Sequence, residues 1–344
     1  MAFMGAFGSV SAQSNVTVYG TLDAGVSSIN GTKPAGIVTK LSSGQQSYSR
    51  FGFAGTEDMG DGLKALFLLE AGVELNRGNT GLDSIDYNVR KSHDTNLFGS
   101  QAYVGLTGNF GTLKLGRQFT PLYNAYGAID PFMNGFAANI NNFFGINNLY
   151  TSDYQRMSNA VVYEAPDNLN GFKASAAYGF GGFAGDLSAQ SQVGASLGYL
   201  NGPLTVSYAY HEANNEKTTV EGALTDTFRT NFIGAAYDFG LVKLHAAYDQ
   251  NEQGPRFKTE DYLFGLTLPV GAHAVFADYT HKKNKIVDSA DADQYAVGYT
   301  YNLSKRTNVY TAYTYVQNQS NSSIDTETPG KSVGTIQAGL RHTF

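Results

Sequence analysis

From Asn15 onward apolar and polar residues alternate with a period of two, the spacing that gives a β-strand one oily and one wet face. Val16, Val18, Leu22 and Val26 stand against Thr17, Tyr19, Thr21 and Asp23, which predicts a first strand from Val16 to Ser27 and a loop over 28–46. A second strand is expected from Ser47 to Asp58, turning through Met59-Gly60-Asp61-Gly62 into a third from Leu63 to Leu75. Leu97 to Thr107 then turns through Gly108-Asn109-Phe110-Gly111 into Thr112 to Phe119. Further strands centre on Val162, Ala176, Gly198, Tyr208, Ala235, Ala247, Gly265, Phe276, Gly298, Tyr313 and Ala338, which brings the total to sixteen. Their connectors alternate between short ones such as Asn201-Gly202 and Phe239-Gly240 and long ones such as 213–229 and 319–333.

Short turns on one rim and long loops on the other are the layout of a membrane barrel, with turns in the periplasm and loops outside. Nowhere do 18 consecutive apolar residues occur, which excludes a helical span but not a barrel whose strands alternate. The predicted fold is therefore all-β: one transmembrane antiparallel β-barrel of sixteen strands, undivided by any linker. The longest connector, about 120–158, contains Thr120-Pro121-Leu122-Tyr123, Ile129-Asp130-Pro131-Phe132 and Asn139-Ile140-Asn141-Asn142-Phe143-Phe144-Gly145. Its aromatics and few charges argue against disorder. Its apolar anchors point to a third loop folded into the lumen, the alternative being an exposed lid. At the other end, residues 1–12 close on Val10-Ser11-Ala12, with small residues where a signal peptidase needs them. They read as the tail of a signal peptide, leaving 13–344 as the exported barrel.

Composition sharpens this. Among 344 residues there are no Cys and no Trp but 40 Gly, 23 Tyr and 22 Phe, with 13% aromatic against 15% charged residues. That is strand and turn currency. Without cysteine there is no disulfide framework, thiolate metal site or cysteine nucleophile. A formal charge of -6 offers nothing to neutralise phosphates, so nucleic acid is not an expected partner.

Four segments, Ser49-Arg50-Phe51-Gly52-Phe53-Ala54-Gly55-Thr56-Glu57-Asp58, Ala102-Tyr103-Val104-Gly105-Leu106, Leu115-Gly116-Arg117-Gln118 and Gly339-Leu340-Arg341-His342-Thr343-Phe344, resemble the trimeric general porins of Gram-negative bacteria, particularly the neisserial and burkholderial branch. The resemblance covers essentially the whole exported chain. It implies a sixteen-stranded barrel in the outer membrane, a homotrimer, and passive diffusion of ions and small hydrophilic solutes past a constriction made by the third loop. The partners expected are outer-membrane lipid and lipopolysaccharide, and the barrel assembly machinery during biogenesis, with no cofactor.

Parity locates the candidate pore charges. Arg50 opposes the Phe51 and Phe53 face, and Arg156 opposes the Val161 and Tyr163 face, so both should enter the lumen. By the resemblance these are two positions of an arginine cluster whose third is Ser100 here, faced by an acidic loop position, Asp130. Lys173, on the polar parity of its strand, is expected to assist. Cations on one wall and a carboxylate opposite give a transverse field that filters ions, here with a modest preference for anions. Arg117 shares parity with Leu113 and Leu115 and should face outward. A bare guanidinium there costs roughly 2–4 kcal/mol at mid-membrane, so a subunit interface is expected, with Asp83 or Asp86 of a neighbour as partner. In the last strand Gly339, Leu340, His342 and Phe344 carry an aromatic ending similar to that read by the assembly machinery, the alternative being an ordinary closing strand.

Other patterns are weaker. Asp288, Asp291 and Asp293 lack EF-hand spacing, so no metal site is assigned. Gly179, Gly181, Gly182 and Gly185 precede no predicted helix. The six histidines form no HExxH or short-spaced pair, and no catalytic site is indicated. A general-diffusion porin is the reading, with a substrate-biased channel for organic acids, an outer-membrane barrel enzyme and a secreted β-sandwich lectin as rivals.

Overall fold

The computed structural model describes residues 15–31, 36–80, 96–145, 154–182, 184–214, 227–255 and 257–344. The expected leader, 1–12, lies outside them. The strands are β1 (Asn15–Asn30), β2 (Ile37–Ser43), β3 (Arg50–Gly60), β4 (Leu63–Glu74), the two-residue β5 (Asn79–Thr80), β6 (Gln101–Gly108), β7 (Gly111–Phe119), β8 (Arg156–Glu164), β9 (Phe172–Gly179), β10 (Gln192–Asn201), β11 (Leu204–Ala213), β12 (Phe228–Asp238), β13 (Lys243–Gln253), β14 (Phe257–Val270), β15 (His273–Asn284), β16 (Ala292–Asn302), β17 (Thr307–Asn318) and β18 (Val333–Thr343).

All neighbours are antiparallel. β4 pairs directly with β6, and β5 only extends its end. β2 and β3 both lie on β1, β2 along Ala24–Asn30 and β3 along Asn15–Thr21. They are two parts of one wall strand broken at residues 44–49, so the segments make sixteen wall strands. β18 returns to β1 from Thr21↔Thr343 to Asn30↔Gly334 and closes the barrel. At the seam Gly20 and Phe344 exchange both backbone bonds, at 3.1 and 3.0 Å. A closed ring leaves no sheet edge, which is what hydrocarbon demands of a strand wall.

The expected alternation places the faces. Along β12, Phe228, Thr230, Phe232, Gly234 and Ala236 turn inward and Arg229, Asn231, Ile233 and Tyr237 outward. Val16 at 60%, Phe264 at 60% and Ile233 at 51% exposure typify an apolar outer surface that suits lipid rather than water. Every expected strand centre lies in a strand. One expectation fails: the loop assigned to 28–46 contains the end of β1 and all of β2. Gly44, at φ 71, and the residues to Ser49 interrupt the wall strand, so its alternation restarts at Ser47 and hides the half before the break. The third loop also holds more order than its irregular pattern suggested. It carries α1 (Pro121–Ile129), capped by Thr120 with proline at its start, and α2 (Ile140–Phe143), capped by Asn139. Thr-Pro and Asn-Ile are helix-start signals.

The seam has little slack. A Cβ on Gly25 would stand 2.4 Å from the Ala338 carbonyl oxygen, which is wall backbone and cannot yield. Gly25→Ala should cost about 1–3 kcal/mol and lower the temperature at which the folded band collapses on a denaturing gel; an unchanged midpoint would refute the close approach.

Candidate functional site: a constricted lumen

The third loop lies against the inner wall. Leu122, Tyr126, Ile129 and Phe144 bury themselves with Ala209, Phe232, Ala247 and Leu263, inward residues of β11 to β14. Farther along, Phe132 and Phe136 pack with Phe276, Ala296 and Tyr310 of β15, β16 and β17. The wall makes room with glycine: Cβ atoms on Gly194, Gly234 and Gly265 would meet Pro121, Ile129 and Pro131 at 2.8, 2.9 and 2.5 Å. Polar links fix the depth. Tyr126 donates to Asp249 at 2.5 Å, and His245 Nδ1 meets the Ile129 carbonyl at 2.6 Å. Lys282 pairs with Asp261 at 2.6 Å and reaches the Gly145 carbonyl at 3.3 Å. Ala137 N–H donates to Gln337 at 2.7 Å on β18. Running from β7 past β11 to β18, the loop lies along the inner face of the wall.

The predicted charges come together in part. Arg50 enters the lumen beside Glu70, with Nε 3.1 Å from its carboxylate, and donates to the Tyr48 carbonyl at 3.1 Å. Ser100 joins the two halves of the group, because its hydroxyl donates to Glu70 while its carbonyl accepts from Arg156 Nε at 3.1 Å. Tyr19 also donates to Glu70, at 2.9 Å. Arg156 arrives by a different route from the one its parity suggested. The register jumps from Gly116↔Ala160 to Gln118↔Met157, so a bulge turns Met157 inward and parity counted from Val161 does not reach residue 156. Its guanidinium is nonetheless held at this group between the rings of Phe119 (4.8 Å) and Tyr48 (5.6 Å), and is buried.

Two expectations are corrected. Asp130 does not face the lumen arginines with an open carboxylate. It is 3% exposed and accepts the backbone N–H groups of Phe132 (2.9 Å), Asn134 (2.9 Å) and Ile140 (3.1 Å). Burial lifts its pKa to about 6 against the pull of those three donors, so at neutral pH its negative charge organises the loop's own turns. Lys173 is not at the group either: it pairs with Asp167 in the short turn before β9, holding that exposed carboxyl below its ordinary range. Arg117 does share the outward face of Leu113 and Leu115, and donates to the Gly99 carbonyl (2.6 Å) and the Ser158 hydroxyl (2.7 Å) of its own chain. Asp83 and Asp86 lie outside the described residues.

Sequence reasoning missed Glu70, Tyr48, Asp23 and Arg341. Glu70 is the lone acid between Leu69 and Ala71, on the parity of Gly52 and Gln101, a legible signal. Arg341 sits opposite Asp23 in register and donates to Asn308 at 3.1 Å. It flanks β1 on the side away from Arg50, which lies opposite Thr21. Among the described residues no group of three acidic or histidine side chains could hold a metal ion, and no helix is long and apolar enough to cross a membrane.

A closed wall with apolar outside, polar inside and an inserted loop describes a channel, and comparison with known proteins settles which. The family model for Gram-negative porins matches residues 1–321. The chain is a Gram-negative porin. An outer membrane porin of Bordetella pertussis is 31% identical, the match covering 98% of this chain and 96% of that one. Outer membrane porin protein 32 of Delftia acidovorans is 32% identical over 100% and 98%. The solved anion-selective porin from Comamonas acidovorans superposes with a TM-score of 0.82 at 28% identity, covering 96% of this chain and all of that one. The porin is thus an outer-membrane diffusion channel, and its family comprises channels rather than enzymes.

Asp130 gives a pH test of the loop. Its folded pKa is raised from 3.8 to about 6, so its contribution to folding is fully present below the unfolded value and is lost as the pH rises through 6. The wild-type melting midpoint, taken as the difference from that of Asp130→Asn, should therefore fall between pH 4 and pH 6.5 and stay flat above. At pH 7 the variant should also show noisier open-channel current, because an amide nitrogen there faces a backbone donor, a loss of about 1–3 kcal/mol. A flat difference curve would show that Asp130 does not titrate in the folded loop.

Proposed function

We propose that this outer-membrane porin passes ions and small hydrophilic solutes with a modest preference for anions, set at a constriction between the third loop and the wall group of Arg50, Ser100 and Arg156, with Arg341 beside it. The observation that carries the reading is the asymmetry of the lumen charges. Arg50 remains about one-third exposed, while the loop acid that could oppose it, Asp130, is buried in backbone donors. Ser100 in place of a third arginine keeps the preference modest, and Lys173 takes no part. The similarity to the anion-selective porin from Comamonas acidovorans supports the sign. Tyr48, Phe119 and Tyr123 beside the guanidinium groups favour a second reading, in which anions carrying planar groups pass more slowly than chloride.

The working unit in this proposal is a homotrimer in lipid and lipopolysaccharide. Subunits would meet on the apolar outer face of β1 to β3, where Val16, Val18, Val26 and Leu41 stand exposed beside the paired rings of Phe51 and Phe53, and a neighbour's Asp83 or Asp86 would lie near Arg117. Gly339, Leu340, His342 and Phe344 would serve the assembly machinery. Deleting Phe344 removes the last seam bonds and a half-exposed ring, so it should lower the amount inserted in cells far more than the melting point of what does insert. Normal outer-membrane levels would sink that role.

Planar-bilayer recording tests the main reading. Conductance should appear in steps of three, and the reversal potential under a KCl gradient should report anion preference. Arg50→Ala and Arg341→Ala should each move it toward cations, whereas Lys173→Ala should leave it in place. Cation preference in the wild type, or an effect of Lys173 equal to that of Arg50, would overturn the assignment.

A further inference from the structure

We propose that Asp23 is the positioning residue of the constriction: by clamping the break between β2 and β3 inside the lumen, it fixes Arg50 and the tip of the third loop relative to each other and so sets pore width and selectivity. This rests on reading Arg50 and the third loop as the constriction.

Asp23 is fully buried on the lumen face of β1, at the point where β1 exchanges one neighbour for the other: β3 pairs up to Thr21 and β2 from Ala24. Its side chain is fully engaged. One carboxylate oxygen accepts the N–H groups of Gln46 and Ser47, both at 2.7 Å, and the other accepts the Tyr310 hydroxyl at 2.5 Å. Its backbone holds the ends of the same segment. The carbonyl accepts Gly44 N–H and the Ser49 hydroxyl, both at 2.8 Å, and its N–H donates to Ser49 Oγ at 3.0 Å. A short polar stretch leaving a strand has no reason of its own to turn away from its neighbours in the wall. Charge-assisted bonds from a buried carboxylate to two consecutive N–H groups supply one.

The clamped segment carries both faces of the pore. At its far end the Tyr48 carbonyl receives Arg50 Nη1 and the Tyr48 ring covers Arg156. At its middle the Gln45 carbonyl accepts Phe136 N–H at 2.5 Å, and Gly135 lies so close that a Cβ there would be 1.9 Å from the Gln46 carbonyl oxygen. Gln46 is held from the wall by Asn308 at 2.7 Å. Tyr310 donates to Asp23 and meets the Phe136 ring edge-on at 5.3 Å, so one tyrosine touches the clamp and the loop tip together. Asp130 and the Tyr126–Asp249 pair act on other parts of the loop, and neither can replace this tie.

The test is single-channel recording of the intact porin in three variants, with Arg50→Ala as reference. Asp23→Asn puts an amide nitrogen against backbone donors. Tyr310→Phe removes one hydroxyl and keeps the ring on Phe136. Gly135→Ala drives the loop tip off the break without touching Asp23. Each should raise conductance, and Tyr310→Phe and Gly135→Ala should shift the reversal potential toward cations. Asp23→Asn also removes a negative charge from the pore, so it is read by conductance, which in Asp23→Asn with Gly135→Ala should change no more than the larger single effect, since both cut the same tie. Wild-type conductance and reversal potential in Tyr310→Phe and Gly135→Ala would overturn the proposal, including where Asp23→Asn fails to insert; additive effects in the double variant would overturn it too. If Arg50→Ala shifts the reversal potential and these variants do not, the clamp alone is wrong. If Arg50→Ala leaves it unchanged, the constriction reading falls instead.

Discussion

Hydrocarbon offers a strand no water, so each wall N–H and C=O left unpaired there costs several kcal/mol, and the ring closed by β1 and β18 follows from that. Once every lateral bond is used, the chain can vary only on the two faces and at the rims. The outer face is held to apolar residues by lipid. The inner face is free to take charge and can receive a loop, which is where this molecule concentrates its polar chemistry.

A loop placed inside a wet lumen has to be held there, and it is held by burying polar groups in pairs. Asp249 and Asp261 lie fully buried beneath it with Lys282, Asn251 and Tyr126 around them. Such a network adds little net stability relative to an apolar one of the same shape, but removing one partner leaves an uncompensated charge and costs about 3–5 kcal/mol. It therefore fixes where the loop sits more than how tightly the barrel folds. The glycines at 194, 234 and 265 perform the complementary task, bringing wall backbone close enough for Pro121, Ile129 and Pro131 to fill the space.

This division explains what was legible in the sequence. Strand number, faces and rims could be read because lipid imposes a period of two on every wall strand. The lumen was harder to read because its geometry depends on departures from that period. The break at Gly44–Ser49 hid β2, and the bulge before Ala160 defeated parity at Arg156, though the side chain still reached the pore group. Asp130 was assigned to the lumen because a loop acid near arginines resembles a filter. Whether a carboxylate faces water or its own backbone depends on turns that form only when the loop packs. Glu70 could have been found as a lone acid on inward parity among leucines, whereas Asp23 looked like one polar residue among several on β1.

The same geometry bounds how selective such a pore can be. Around the proposed constriction three guanidinium groups, Arg50, Arg156 and Arg341, meet two carboxylates, Glu70 and Asp23, an excess of one positive charge, although the whole chain carries -6. One unit charge about 7 Å from a permeating ion in water is worth about 0.6 kcal/mol. Screening with a Debye length of about 8 Å reduces that to roughly 0.3 kcal/mol. Because the same charge attracts an anion and repels a cation, the difference between them is twice those energies, which corresponds to between about 3- and 8-fold preference for anions over cations. Charges farther from this path than a Debye length of about 8 Å are screened from it. Selectivity at the constriction is therefore decided by one net charge, and the hydrogen bonds that hold Glu70, Asp23 and Asp130 matter because they determine where each charge sits along the path of the ion.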